Sequence, residues 1–438
     1  MVRRHVWMSA AVLLMLSGCA GRSSCSVAPG FEPELLPAVG RGDFSAEMQA
    51  PSANALPSSD TTAAPSAYRQ LLALQCQCLA VDASAKANIL DLEGQAATQK
   101  AEAKKFGHGK PSLMADVLNF LAMEERNKDA ASALDFYYRL GEAEASADIL
   151  RETLLQVGDA LNKARELKGK GLEVKVDETA LHRQKLDLES QAVKLQLQIE
   201  QFSGELRRRL ALAPCEVDWR FWPAQAFHIA IGCVETPQAI AVGLENRPIL
   251  LLLNLLETEL AEGDPATVRR MLGMVNNALG QGGSCPCLKK LLAILCGTAE
   301  ERALRRQQLA LYRTDREREV VEDIRHAVLA IQTQKEALLL ALQKAESWHD
   351  KVKEAEEKQS KGLGSFADTT DARVNWLKAR RAIAEEFINM QRAWVQLRQA
   401  QGILPLECSS APANPASSSP PADPEIEVLP RPRTIIER

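Results

Sequence analysis

The sequence predicts an all-α protein made of two long antiparallel coiled-coil hairpins, one a duplicate of the other, with few or no β-strands. A Gly-Leu pair followed by an aspartate occurs twice, as Gly171-Leu172 with Asp177 and as Gly362-Leu363 with Asp368, and the glycines are 362 − 171 = 191 residues apart. Each copy interrupts a long heptad-patterned stretch and therefore reads as the turn of a helical hairpin. Aromatic residues make up only 5% of the chain against 46% hydrophobic, a composition suited to Leu/Ala-rich helices rather than to a sheet sandwich.

Residues 1–18 form a targeting segment to be set aside before fold is considered. Arg3 and Arg4 precede an apolar run from Val6 to Leu16, too short to span a bilayer. The run closes on Leu16-Ser17-Gly18-Cys19, which resembles a bacterial lipobox, so cleavage before Cys19 and lipidation of its thiol are expected. Ala20 rather than aspartate follows, which by resemblance to enterobacterial sorting directs the protein to the outer membrane, facing the periplasm. A flexible Ser/Pro/Ala-rich tether is expected over 19–66 and a Pro/Ser-rich tail over 405–438.

Between them, the first hairpin repeat covers 67–213. Its ascending helix shows a seam at Phe136, Leu140, Ala143, Ala147, Leu150, Leu154, Val157, Leu161 and Ala164, in alternating steps of four and three. Gly169 and Gly171 end it, because glycine accepts the positive φ at which a helix stops. The return helix carries Leu181, Leu188, Ala192, Leu195, Ile199, Phe202 and Leu206. A connector over 214–242 contains Trp219, Phe221, Trp222, Pro223 and Phe227, an aromatic cluster expected to pack against the rods.

The second repeat covers 243–404. Ile324, Val328, Ile331, Leu338, Leu342, Ala345 and Val352 rise to Gly362, with Lys335 as a polar seam residue, and Trp376, Ile383, Phe387, Met390, Trp394 and Leu397 return. Ser365, three residues before Asp368, predicts a capping box, and Asp177 and Asp368 read as N-caps, first-turn acids or pore charges. Gly280 to Gly283 break the second repeat, with Gly107 to Pro111 as the corresponding break in the first.

Lys plus Arg number 53 against 57 Asp plus Glu, so no basic field points to nucleic acid. With Cys19 assigned to lipid, nine of the ten cysteines remain, including the pairs Cys76/Cys78 and Cys285/Cys287. Disulfides, buried thiols and a metal site are all open to them, although the spacing is not that of a zinc ribbon. The histidines are scattered, and neither a catalytic triad, a phosphate loop, metal-ligand spacing nor a cofactor motif emerges.

The chain from about 68 to 404 resembles the bacterial outer-membrane efflux proteins typified by TolC. Gly171-Leu172 to Asp177 and Gly362-Leu363-Gly364-Ser365-Phe366-Ala367-Asp368 match the family's hairpin tips, and Gly243-Leu244-Glu245-Asn246-Arg247-Pro248 matches the Leu-x-Asn-Arg-Pro opening of its second repeat. The resemblance implies a homotrimer enclosing a periplasmic helical tunnel, no reaction chemistry, and tips that dock on a periplasmic adaptor linked to an inner-membrane pump. Gly171, Leu172, Gly362 and Leu363 would carry that docking. The family also places barrel strands before each ascending helix, whereas here 66–116 and 246–316 read as helix, so the barrel is expected to be lost and the lipid to serve as membrane attachment. A periplasmic coiled-coil scaffold or spacer lipoprotein without transport activity is the alternative.

Overall fold

The computed structural model describes residues 67–103, 113–171, 177–212, 219–224, 226–227, 234–262, 265–276 and 299–410. These carry two strands, β1 (Ala67–Leu71) and β2 (Trp219–Pro223), and ten helices. The helices are α1 (Ala73–Ala83), α2 (Ala85–Ala103), α3 (Leu113–Gly169), α4 (Glu178–Arg209), α5 (Thr236–Asn246), α6 (Pro248–Glu262), α7 (Pro265–Val275), α8 (Ala299–Ser360), α9 (Phe366–Gln401) and α10 (Leu404–Ser410). The signal segment, the tether with Cys19, the breaks at Gly107–Pro111 and Gly280–Gly283, and the pair Cys285/Cys287 lie outside the described residues.

Two hairpins dominate. The 57-residue α3 pairs with α4 and the 62-residue α8 with α9, rods of roughly 85 and 93 Å at about 1.5 Å per residue. A third packed pair, α3 with α9, joins them, so the helices lie in the order α4, α3, α9, α8. The centre of this array explains a feature beyond a two-helix seam. Besides the predicted stripe, α3 buries a second one, Asn127, Leu134, Tyr138, Ala145 and Ile149, in steps of seven and four. Asn127 at its end donates through Nδ2 to the Gln399 carbonyl of α9 at 2.8 Å, and Gln156, seven residues past Ile149, accepts from Arg373 of α9 at 3.2 Å. An inner helix with a neighbour on each side needs two apolar stripes, and α3 has both.

The duplication reaches beyond the tips. Gly402 ends α9 with φ 74° and Ala211 follows α4 with φ 48°, and 402 − 211 is again 191. The hydrogen bonds match as well: Gly402 N donates to Gln399 O and Ile403 N to Arg398 O, while Ala211 N donates to Arg208 O and Leu212 N to Arg207 O. Both are Schellman turns. Earlier in each repeat, an 11-residue helix is followed by one extended residue and a second helix: α1, Ser84, α2 and α5, Arg247, α6. Here the offset is 247 − 84 = 163, so the second repeat has gained 191 − 163 = 28 residues before its rod, a stretch that includes α7.

The two strands pair in parallel, Ala67 with Trp219 through Leu71 with Pro223. Parallel neighbours need a long crossover, and the whole first hairpin supplies it. The reading of 66–116 as helix is corrected at its start, where β1 lies; its other described residues are α1, α2 and the start of α3, and those of 246–316 are α6, α7 and the start of α8. Two short strands and otherwise helix agree with the predicted all-α class.

β2 and the residues after it dock on the rods. Phe221 and Trp222 are buried, Phe227 stacks on Phe387 of α9 at 5.5 Å, and a Cβ at Gly141 of α3 would meet that of Ala226 at 2.4 Å. Gly141 sits mid-helix, despite its poor propensity, because the connector comes this close. A further core of α6, α7 and the facing parts of α3, α8 and α9 includes Leu252, Leu256, Leu272 and Ile324, all fully buried.

The tail begins later than residue 405. Leu404 to Ser410 form α10, tied to α1 by the disulfide Cys78–Cys408 with Cα atoms 5.3 Å apart. Buried Gln77 donates to the Leu404 carbonyl and to Glu407, each at 2.8 Å, and accepts from Arg398 at 3.0 Å. Cys76 is the free thiol among the described residues; burial pushes its pKa far above the ordinary range, leaving it an inert apolar side chain. No single described helix is long and apolar enough to cross a membrane, while α5 and α6 pass that test only as a pair bent by 52°.

Candidate functional site

The hairpin tips are built by helix-stop chemistry. In the second, Gly362 has φ 72°, its N–H donates to Gln359 O at 3.0 Å and that of Leu363 to Lys358 O at 2.8 Å, another Schellman turn. Gly364 must also be small, since a Cβ would lie 3.0 Å from that of Lys358. The turn leaves Leu363 79% exposed, the highest value among the exposed large apolar residues described.

Ser365 and Asp368 then form a reciprocal box. Ser365 Oγ accepts from Asp368 N and Asp368 Oδ2 accepts from Ser365 N, both at 3.2 Å. In the first tip Gly171 has φ 73° and donates to Lys168 O at 3.0 Å. Leu172 lies outside the described residues. Asp177 caps α4, its Oδ1 accepting from Thr179 N at 2.9 Å. Both aspartates are thus engaged at helix N-termini, where the dipole favours negative charge.

The two tips meet. Phe366, the first residue of α9, packs on the small cluster of Ala160, Leu161 and Leu181 in the first hairpin. Two turns further in, Arg373 donates to Glu356 of α8 at 2.6 and 3.0 Å as well as to Gln156 of α3. The sequence assigned no role to Phe366, whose one signal was a second large apolar residue in the turn beside Leu363. Arg165 donates to Glu178 at 2.9 Å and holds its carboxyl below the usual range.

The family-like segment Gly243 to Pro248 performs a structural task at the opposite end. Arg247 Nη1 donates to Gln399 O at 2.5 Å, the carbonyl that Asn127 also reaches. Gly243 is pressed between Ile324 and Gln401, where an added Cβ would find Ile324 Cδ1 at 2.4 Å. Among the described residues no group of three or more His, Cys, Asp or Glu is placed to hold a metal.

The outer faces of the array form the second candidate surface. On α8, Leu304, Leu311, Leu329 and Leu340 are exposed, separated by 7, 18 and 11 residues, all near whole numbers of turns. On α4, Leu186, Val193 and Leu197 are exposed at spacings of 7 and 4. Each stripe lies on the opposite side of its helix from the buried seam. Each outer helix therefore has the two-sided apolar pattern of α3, with one side uncovered.

Comparison with solved structures finds the same architecture. The Campylobacter jejuni CmeC outer membrane channel aligns with TM-score 0.54 at 12% identity, over 75% of this chain and 85% of that one. A membrane protein from Pseudomonas aeruginosa aligns with TM-score 0.54 at 13% identity, over 79% and 95%. The chain has the TolC-like channel fold. The open state of the Neisseria gonorrhoeae MtrE outer membrane channel gives TM-score 0.53 at 11% identity, over 75% of this chain and 88% of that one. No protein-family model matches the sequence, and no curated protein matches it. At such identities the TolC-like fold is shared while the residues are not.

Proposed function

We propose that this protein is a TolC-like outer-membrane efflux or secretion component, lipid-anchored through Cys19, whose copies form a homotrimeric periplasmic conduit. The observation that carries the reading is the four-helix array with an apolar stripe on each outer helix, in a fold shared with outer membrane channels. Copies of the array close into a ring when the outer face of α4 in one copy covers that of α8 in the next. Such closure buries both stripes without altering the subunit, and substrate would pass through the space enclosed.

The tips are the proposed docking surface for a periplasmic adaptor that connects to an inner-membrane pump. Leu363 supports this role, because an apolar side chain held outward by a defined turn needs a partner. The protein carries no chemistry of its own, and energy would be supplied at the inner membrane. A photo-crosslinking residue at Leu363 in intact cells is expected to capture a periplasmic adaptor, and Leu363→Asp to abolish both capture and export. Failure to cross-link any adaptor would overturn the efflux role.

The predominantly helical character of the described parts of 66–116, where β1 is the one strand, and of 246–316 favours a second reading, a periplasmic scaffold or spacer lipoprotein that conducts nothing. The two readings separate on one measurement: a hollow trimer supports the conduit, and a monomer or solid bundle supports the scaffold.

A further inference from the structure

Helix α2 carries an apolar stripe that is exposed among the described residues. Ala85, Ile89, Leu92 and Ala96, in steps of four, three and four, are all exposed, with Ile89 and Leu92 at 60% and 63%. This is a coiled-coil seam without a partner. Its opposite face rests on α3, where Gly94 lies against Ala115 and Leu118, Arg126 donates to Asp91, and Lys86 pairs with Glu125 at 2.9 Å.

The position of α2 on α3 says what the stripe faces. The α3 residues under α2 include Leu118, Glu125 and Asp129, the last reached by Ser84 at 2.6 Å. Those under α4 include Phe136, which meets Phe202 at 6.2 Å, and Arg165, which meets Glu178. The intervals 118 to 125, 125 to 129, 129 to 136 and 136 to 165 are 7, 4, 7 and 29, all close to whole turns. α2 and α4 therefore follow one another along the same side of α3, and α2 lengthens the α4 edge.

We infer that α2 is part of the subunit joint, its Ile89 and Leu92 packing antiparallel on the exposed face of α8, between Leu311 and Leu329, in a second copy of this chain. The inference rests on the proposed ring of copies and extends its contact beyond α4. Level and charge agree with it. Asn127 of α3 meets Gln399, while Gln401 and α8 residues Val320 and Ile324 converge on Gly243, so these parts of α3, α9 and α8 share one level. Lys86, beside Glu125, stands at that level, facing the height of exposed Glu322 and Asp323 on α8. Glu93 lies about two turns further from the tips, at the height of the Asp315–Arg316 ion pair on α8. An antiparallel approach thus sets opposite charges against each other at the tipward end of the apolar stripe.

The full-length protein in detergent tests this by sedimentation over a concentration series. Ile89→Glu with Leu92→Glu is expected to raise the dissociation constant of the assembly at least about tenfold while leaving the helical circular dichroism unchanged. A photo-crosslinking residue at Leu92 in the otherwise unaltered chain is expected to give intersubunit adducts mapping to α8 between Leu311 and Leu329, a readout independent of whether the double variant folds. Unchanged association of a folded double variant, or Leu92 adducts confined to lipid or to another protein, would overturn the α2 joint. If Leu340→Glu dissociates the assembly and the α2 variant does not, α2 alone is wrong and the ring stands; a wild-type monomer at every concentration removes both.

Discussion

At the scale of single residues, Glu144 links stability to pH. It projects from α3 toward β2 and is 5% exposed. Burial raises its pKa from 4.5 to about 7, and the Arg220 guanidinium opposes that rise without cancelling it. Between pH 4.5 and about 7 the folded protein therefore binds more protons at this group than the unfolded chain does. The associated stability is fully present below about 4.5 and is lost as pH rises through about 7. Glu144→Gln, neutral throughout, should match the wild type near pH 4.5 and exceed it at pH 8 by at most on the order of 3 kcal/mol, read as urea midpoints across pH. Parallel pH curves for the two proteins would refute this. Ala211 offers a second residue-scale test, since it occupies the left-handed region where the duplicate position has Gly402. Ala211→Gly should relieve strain of roughly 1 kcal/mol, less the entropy that glycine adds to the unfolded chain. A thermal midpoint that rises, or at least does not fall, is the expected result, in contrast to the loss that an ordinary helix-terminal Ala→Gly would bring.

Among the elements, the heptad seams were the legible part of the sequence. The periodicity located both rods and both turns, because each rod repeats an apolar position often enough to fix its period. It gave α3 one stripe where the fold has two. The second is interrupted by Asn127 and Gln156, polar residues that serve α9 by hydrogen bonding and break up the apolar pattern. β1 and β2 were illegible for another reason: five-residue strands paired across the whole first hairpin carry no local signal of each other. The same distance hid Cys78–Cys408, whose partners lie 330 residues apart among many possible pairings. Closing so long a loop restricts the unfolded chain strongly, so Cys408→Ser should lower stability by about 2–4 kcal/mol. Reductant should lower the wild-type midpoint similarly and leave the variant unmoved; a variant equal to the oxidised wild type would show that Gln77, Glu407 and Arg398 hold α10 without the covalent tie. At the tips, the glycines and caps followed from their local rules, whereas Phe366 could not be placed, since its partners Ala160, Leu161 and Leu181 belong to the other repeat.

For the whole molecule, the decisive question is what covers the outer faces of α4 and α8. An isolated subunit that exposes Leu329, Leu340, Val193 and Leu197 in register exposes apolar area that water disfavours, and the duplication accounts for its being on both edges. Each repeat contributes one inner helix, α3 or α9, and one outer helix, α4 or α8, and the inner pair is the contact between repeats within a chain. The contact between chains then falls to the outer pair. If that is right, charge introduced on the α8 stripe must act on assembly and not on the subunit fold. Leu329→Glu combined with Leu340→Glu is expected to weaken association by about 100-fold or more, equivalent to roughly 3 kcal/mol, and to convert the proposed trimer to monomer at micromolar concentration. Helical circular dichroism and the unfolding midpoint of the isolated subunit should stay close to wild type, because both leucines are solvent-exposed there. A closed ring has no spare edge, so a matching change on α4, Val193→Glu, should produce the same monomer rather than a chain of intermediate size. Retention of the trimer in both variants would mean that the stripes face something else, and the subunit contact would have to be sought on another surface.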